Sequence, residues 1–130
     1  MKKDIEIRKV ENVAIAIIPK DEDFWDVFLI NLMDVSLRNV IINSKGYGNL
    51  DGKAIETTTL RFFYERIPPN TSVKVEPIQR KLLSITNEFW LSFQMSNYLY
   101  DKKYVFVPGS LEEMNFTTIP LHEVKGVMIK

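Results

Sequence analysis

The segment Gly46-Tyr47-Gly48-Asn49-Leu50-Asp51-Gly52-Lys53 is the first to invite a chemical reading, because a glycine-rich loop ending in lysine can cradle a phosphate. A phosphate loop of that kind needs four residues between its glycines, then Lys and Ser/Thr, then the free amides of a helix N-terminus. Here five residues separate Gly46 from Gly52 and three separate Gly48 from Gly52, Ala54 stands where the hydroxyl belongs, and strand-like residues follow. The segment reads as a hairpin loop whose glycines, Asn49 and Asp51 allow positive φ.

Asp21, Asp23 and Asp26 could present oxygens to a divalent cation. An EF-hand would add further ligands, a central glycine and a closing glutamate at set spacing, and these are missing. The cluster reads as a solvated acidic turn. His122 is the single histidine, whereas zinc and iron sites draw on two or more nitrogen or sulfur ligands. There is no Gly-x-Ser-x-Gly elbow to pair it with a nucleophile. It reads as a structural or surface side chain. The 17 acidic residues show no spacing that singles out a carboxylate pair. No catalytic residue, cofactor or metal site is therefore expected.

Aromatic residues are the feature that stands out. Trp90 falls on the polar face of its predicted strand with Ser92 and Gln94, and Tyr98, Tyr100 and Tyr104 fall on one face of the next. Arg80, Lys81, Lys102 and Lys103 lie nearby in sequence. The bland reading is that a second sheet covers these rings. Beyond it stand a protein-binding patch, where Trp, Tyr and Arg dominate the energetics, and then base stacking on a basic sheet. Trp90, Tyr98, Tyr100 and Tyr104 are the candidate interaction surface.

Composition narrows the classes. With 130 residues, 45% hydrophobic and 12% aromatic against 26% charged, the chain has material for the core of one domain spanning 1–130 and is not disordered in composition. Its 17 basic and 17 acidic residues cancel, which disfavours a globally electrostatic binder of nucleic acid or anionic membrane. The absence of cysteine excludes disulfides, thiolate nucleophiles and cysteine metal sites. The N-terminus opens with Lys2 and Lys3 as a signal peptide would, but Asp4, Glu6, Arg8, Lys9 and Glu11 interrupt any apolar core. The longest apolar candidate, Val13 to Ile18, is far shorter than a membrane span. A cytoplasmic location is expected.

Short apolar runs alternate with turn residues, the spacing of a β-sandwich or barrel. Ile5 to Arg8 alternates weakly, and Val13 to Ile18 is a β-branched strand stopped by Pro19. Phe24 to Leu32 reads as a central strand buried on both faces, forming an antiparallel hairpin with a strand from Leu37 to Asn43. Ala54 to Tyr64 reads as one bent strand or two short ones, with a short helix near Leu60 as the competitor. Val73 and Val75 point inward from Ser72 to Glu76. Ile78 to Asn87 reads as a short helix or crossover. Phe89 to Met95 is the clearest strand, and Ser96-Asn97 turns it into Tyr98 to Val107. Ser110 and Glu113 fit a capping box, and Val127 to Ile129 a last edge strand. The sum is all-β: an antiparallel two-sheet immunoglobulin-like sandwich with at most one or two short helices, a partly open barrel being the alternative.

The stretches Phe24 to Leu32, Asn43-Ser44-Lys45-Gly46-Tyr47-Gly48, Val73-Lys74-Val75-Glu76-Pro77, Tyr100-Asp101-Lys102-Lys103-Tyr104 and Val107-Pro108-Gly109-Ser110 together resemble a family of short, uncharacterised bacterial proteins. Members of that family are often labelled as a phenylalanyl-tRNA synthetase subunit. The resembling stretches are strand, loop and turn and carry no catalytic residue. A class II synthetase core is far longer and uses an arginine-bearing motif set for ATP, which these residues lack. The resemblance implies the family and not the activity. The function expected is a small interaction module working through exposed aromatics or an edge strand, where pairing would also permit a homodimer. The alternatives are a translation-associated domain contacting tRNA or a synthetase, and an enzyme with an unrecognised site. An unknown protein is the expected partner.

Overall fold

The computed structural model describes residues 7–130, so the expectations for the first six residues, including the N-terminal targeting argument, lie outside the described residues. Two sheets make up the fold. One contains β1 (Ile7–Arg8), β4 (Leu37–Leu50), β5 (Lys53–Glu56), β6 (Leu60–Ile67), β8 (Thr86–Met95) and β9 (Tyr98–Phe106). The other contains β2 (Val13–Pro19), β3 (Phe24–Asn31), β7 (Thr71–Gln79), β10 (Thr117–Ile119) and β11 (Val124–Ile129). Among the described residues only β1 pairs in parallel, running beside β9 at Ile7–Leu99 and Arg8–Tyr100. Arg80–Ser84 and Glu113–Asn115 are short 3₁₀ turns.

The strand order makes the expected sandwich an immunoglobulin-type one. Strands β2, β3 and β7 face β9, β8, β4 and β6. In chain order the first, second and fifth of these seven oppose the seventh, sixth, third and fourth, a Greek-key arrangement with the fourth strand joined to the third. The hairpin β10–β11 extends the first group beyond β2.

Alternation explains the layers. On β2, Val13, Ile15 and Ile17 enter the main core between the sheets, with Val27 and Leu29 of β3, Ile42 of β4, and Phe89, Leu91 and Phe93 of β8. Each such buried side chain contributes about 1.5–3 kcal/mol. The opposite face of β2 carries Ala14 and Ala16, which pack under Ile119 in a second apolar cluster. Gly126 lies there too, and its hydrogen-only side leaves room for the Ile17 carbonyl oxygen, which a Cβ would meet at 2.8 Å.

Four expectations are corrected. First, β3 does not form a hairpin with β4: it pairs with β2 and β7, and the chain crosses to the other sheet. The crossing is held by buried Asn31, whose Nδ2 donates to Val35 O at 2.9 Å and Pro68 O at 2.9 Å, while its Oδ1 accepts from Met33 N at 3.0 Å. Second, the glycine segment forms the expected hairpin, β4 with β5, but almost none of it is loop. β4 continues to Leu50, and the reversal is confined to Asp51 (φ 53°) and Gly52 (φ 80°), a two-residue turn of the type that matches strand twist. Third, Ser110 does not cap a helix: its hydroxyl bonds Val107 O at 2.6 Å, and the later 3₁₀ turn has no side-chain cap. Fourth, β11 is an inner strand, with β10 outside it.

Candidate functional site

The outer face of the six-stranded sheet, turned away from β2, β3 and β7, is built by strict register. Lys103, Trp90, Asn43 and Arg61 stand in one row across β9, β8, β4 and β6, and Asp101, Ser92, Ile41 and Phe63 form the next. Trp90 is 44% exposed and Phe63 60%, far more than a sheet face covered by a second layer would leave. The Trp90 indole N–H donates to Asp101 Oδ1, and the Lys103 ammonium lies 5.0 Å from the indole ring. Lys103 also reaches Glu88 at 3.7 Å, and Tyr47 donates to the same carboxylate at 3.1 Å. Arg61 Nε donates to Asn43 Oδ1 at 3.0 Å. Cations and acids on this face are thus interleaved.

The four predicted aromatics do not share this surface. Trp90 points outward as expected. Tyr98 and Tyr100 occupy the inward phase of β9 and are half-buried: the Arg8 guanidinium lies 3.6 Å from the Tyr98 ring, and Tyr100 stacks on Phe93 at 5.0 Å. Tyr104 is fully buried and leaves the candidate surface. Its hydroxyl donates to Val13 O at 2.6 Å across the sandwich, and burial pushes the phenol far above its ordinary pKa. Phe63 was the outward aromatic that strand alternation alone could have revealed, since it lies opposite in phase to Phe62 and Tyr64.

A second feature lies where the two sheets part at one end. A cleft of about 360 Å³ is lined from β4 by Ser44 and Gly46, from β7 by Glu76 and Ile78, and from β8 by Asn87 and Phe89. Glu76 is turned into it by a bulge: Val27 pairs with Glu76 but the next residue, Phe28, pairs with Lys74, leaving Val75 as the extra residue. Burial raises the pKa of the Glu76 carboxyl above its ordinary value, and the Ser44 hydroxyl bonding to it pulls the other way. The expectation that Val75 is inward holds; Glu76 joins it because the bulge interrupts the alternation.

The acidic cluster and His122 are tied into local contacts. Asp21 Oδ1 accepts from the amides of Asp23 at 2.9 Å and Phe24 at 2.8 Å, and these bonds lower its pKa. Asp26 bridges to Lys74 at 3.2 Å. His122 Nε2 lies 2.7 Å from Ser72 Oγ with its ring 4.3 Å from that of Phe28. That is the spacing of a nucleophile and a base, but among the described residues no carboxylate orients the ring. The contact fastens the β10–β11 turn over β3 and β7. Among the described residues no three His, Asp or Glu side chains converge as a metal site, and no helix is long and apolar enough to cross a membrane.

The sandwich and its two surfaces define the class no further than an immunoglobulin-type β fold. No family model, curated protein or solved structure matches the chain.

Proposed function

We propose that this chain is a non-catalytic binding module that engages a protein partner through the outer face of the six-stranded sheet. The observation that carries the reading is the exposure of Trp90 and Phe63 in adjacent rows of one face. Aromatic anchors surrounded by polar groups are the usual composition of a binding hot spot. The partner chemistry that fits is a protein surface with interleaved charges, since Lys103, Glu88, Asp101 and Arg61 alternate in sign across the face. The same alternation weighs against nucleic acid, whose phosphates would meet Glu88 and Asp101. The resemblance to the bacterial family keeps contact with tRNA or a synthetase as the second reading, and the Lys103 ammonium over the Trp90 ring is the observation that favours it. A chain without cysteine suits a reducing compartment, and a cytoplasmic location belongs to the same proposal.

The test is co-purification from host lysate, with and without nuclease, comparing the wild type with a Trp90→Ser/Phe63→Ser variant. A stoichiometric protein retained by the wild type after nuclease and lost by the folded variant supports the module. Partners that vanish with nuclease favour the RNA reading, and identical partners for both chains rule out this face.

A further inference from the structure

The cleft between the sheets carries a different kind of recognition from the outer face. Two acceptors stand out in its lining, the Glu76 carboxylate, to which the Ser44 hydroxyl donates, and the Asn87 side-chain oxygen. Glu76 is a half-buried carboxylate, and among the described residues no lysine or arginine nitrogen lies within ion-pair distance of it. Asn87 is buried and spends its Nδ2 on Leu82 O at 2.8 Å and Ile85 O at 3.2 Å. Its Oδ1 receives no donor from the described residues. Lys45 borders the cleft, but its ammonium lies 5.6 Å from the Tyr47 ring, and Tyr47 in turn bonds Glu88 on the outer face.

The space is maintained by glycine. Gly46 occupies an inward position of β4, and a Cβ there would stand 3.0 Å from Ile85 Cδ1 and 3.3 Å from Asn87 Oδ1. The Gly46 amide is already bonded to Thr57 Oγ1 at 2.7 Å, so this amide is not a competing donor. The walls beyond combine the apolar Phe24, Leu60, Ile78, Leu82 and Phe89 with Thr57, Thr58 and Gln79. A volume of about 360 Å³ is in the range of small-ligand sites. A carboxylate withdrawn from water without a cation is costly, and a cation arriving from outside would remove that cost.

We propose that this cleft binds an ammonium or guanidinium group carried on a short aliphatic stem, with Glu76 as the counter-ion, Asn87 Oδ1 as a second acceptor and the Phe24, Leu60 and Leu82 side chains around the stem. The group can come from a free alkylamine or from a lysine or arginine side chain, and the chemistry of recognition is the same. This site is independent of the outer face, so loss of one activity leaves the other in place.

The experiment is an amide-resolved NMR titration of the full chain with n-butylguanidinium, n-butylammonium, n-butyramide and butyrate. The expected result is saturable shifts at Ser44, Gly46 and Asn87 with the two cations, at millimolar affinity for ligands this small. Butyramide should bind at least fivefold more weakly, and butyrate should not bind. In Glu76→Gln, an isosteric change, cation affinity should fall at least fivefold. A second arm compares Nα-acetyl-lysine amide with n-butylammonium: comparable affinity identifies a side-chain ligand, and binding of the free amine alone identifies a small molecule. Silence of both cations, or equal binding of cation, amide and anion by the wild type, overturns the proposal without reference to any variant.

Discussion

The phenolic hydroxyl of Tyr104 on β9 donates to the main-chain oxygen of Val13 on β2 at 2.6 Å, joining the two sheets through a fully buried hydrogen bond. Tyr104→Phe keeps the ring and leaves that carbonyl without its donor. The expected loss is about 1–2 kcal/mol of folding stability, read as a lower urea midpoint with an unchanged slope. An unaltered midpoint would show that water replaces the hydroxyl.

The same phenol predicts alkaline behaviour. Burial raises the pKa of Tyr104 in the folded chain, and those of Tyr64 and Tyr47 shift in the same direction. The unfolded phenol ionises near pH 10. Above that value the unfolded state loses protons that the folded state keeps, so stability present below about pH 10 declines as pH rises further. Tyr104→Phe should flatten this decline, measured as Tm against pH between about 9 and 11.

Glu76 predicts a signed effect at the acid end. Its folded pKa is raised by burial, so the folded state favours the protonated carboxyl, and this contribution is lost as pH rises through the folded pKa. Glu76→Gln should therefore have a higher Tm than the wild type at pH 7. The difference should close below about pH 4, where both side chains are neutral. A variant less stable at pH 7 would mean that the carboxylate is well compensated in the folded chain.

Asn31 holds the crossing between the sheets. Asn31→Ala removes its bonds to Val35 O, Pro68 O and Met33 N, and should cost about 2–4 kcal/mol. Amide exchange should quicken at Met33, whose N–H bonds the Asn31 side chain, and at Asn70, whose amide bonds Met33 O at 3.1 Å. Faster exchange spread evenly over all strands would deny Asn31 this local role.

Two glycines test different physics. Gly126→Ala brings a Cβ to 2.8 Å from the Ile17 carbonyl oxygen, a backbone atom that cannot swing aside, at an expected cost of about 1–3 kcal/mol. Gly52→Ala meets no atom within 4 Å but forces alanine to φ +80°, worth about 1–2 kcal/mol. Thermal or urea unfolding of the pair should show a core shift at Gly126, with the β2–β11 amides less protected, and only a turn effect at Gly52.

Much of the architecture could be read from alternation and turn chemistry. The Phe89 to Met95 pattern places Trp90 outward, and the small residues Ala14 and Ala16 signal close packing on the second face of β2. The Ser96-Asn97 turn is realised with φ of 51° and 67°. The cleft was not legible. Ser44 and Asn87 are polar residues at inward positions, and they become a site only because Glu76 comes from a strand of the other sheet.

The sequence by itself determined a β protein with short connections, a predominantly apolar inner face on its strands and neutral overall charge, because these depend on residue type and period-two spacing. Tertiary structure alone decided which strands pair, since a strand buried on both faces suits either sheet. It decided that Tyr104 is core while Trp90 is surface, because strand phase says which rings share a face and not which face is covered. It also decided that Glu76 faces the cleft, because the bulge at Val75 is a property of pairing with β3 and is not written in the alternation of β7.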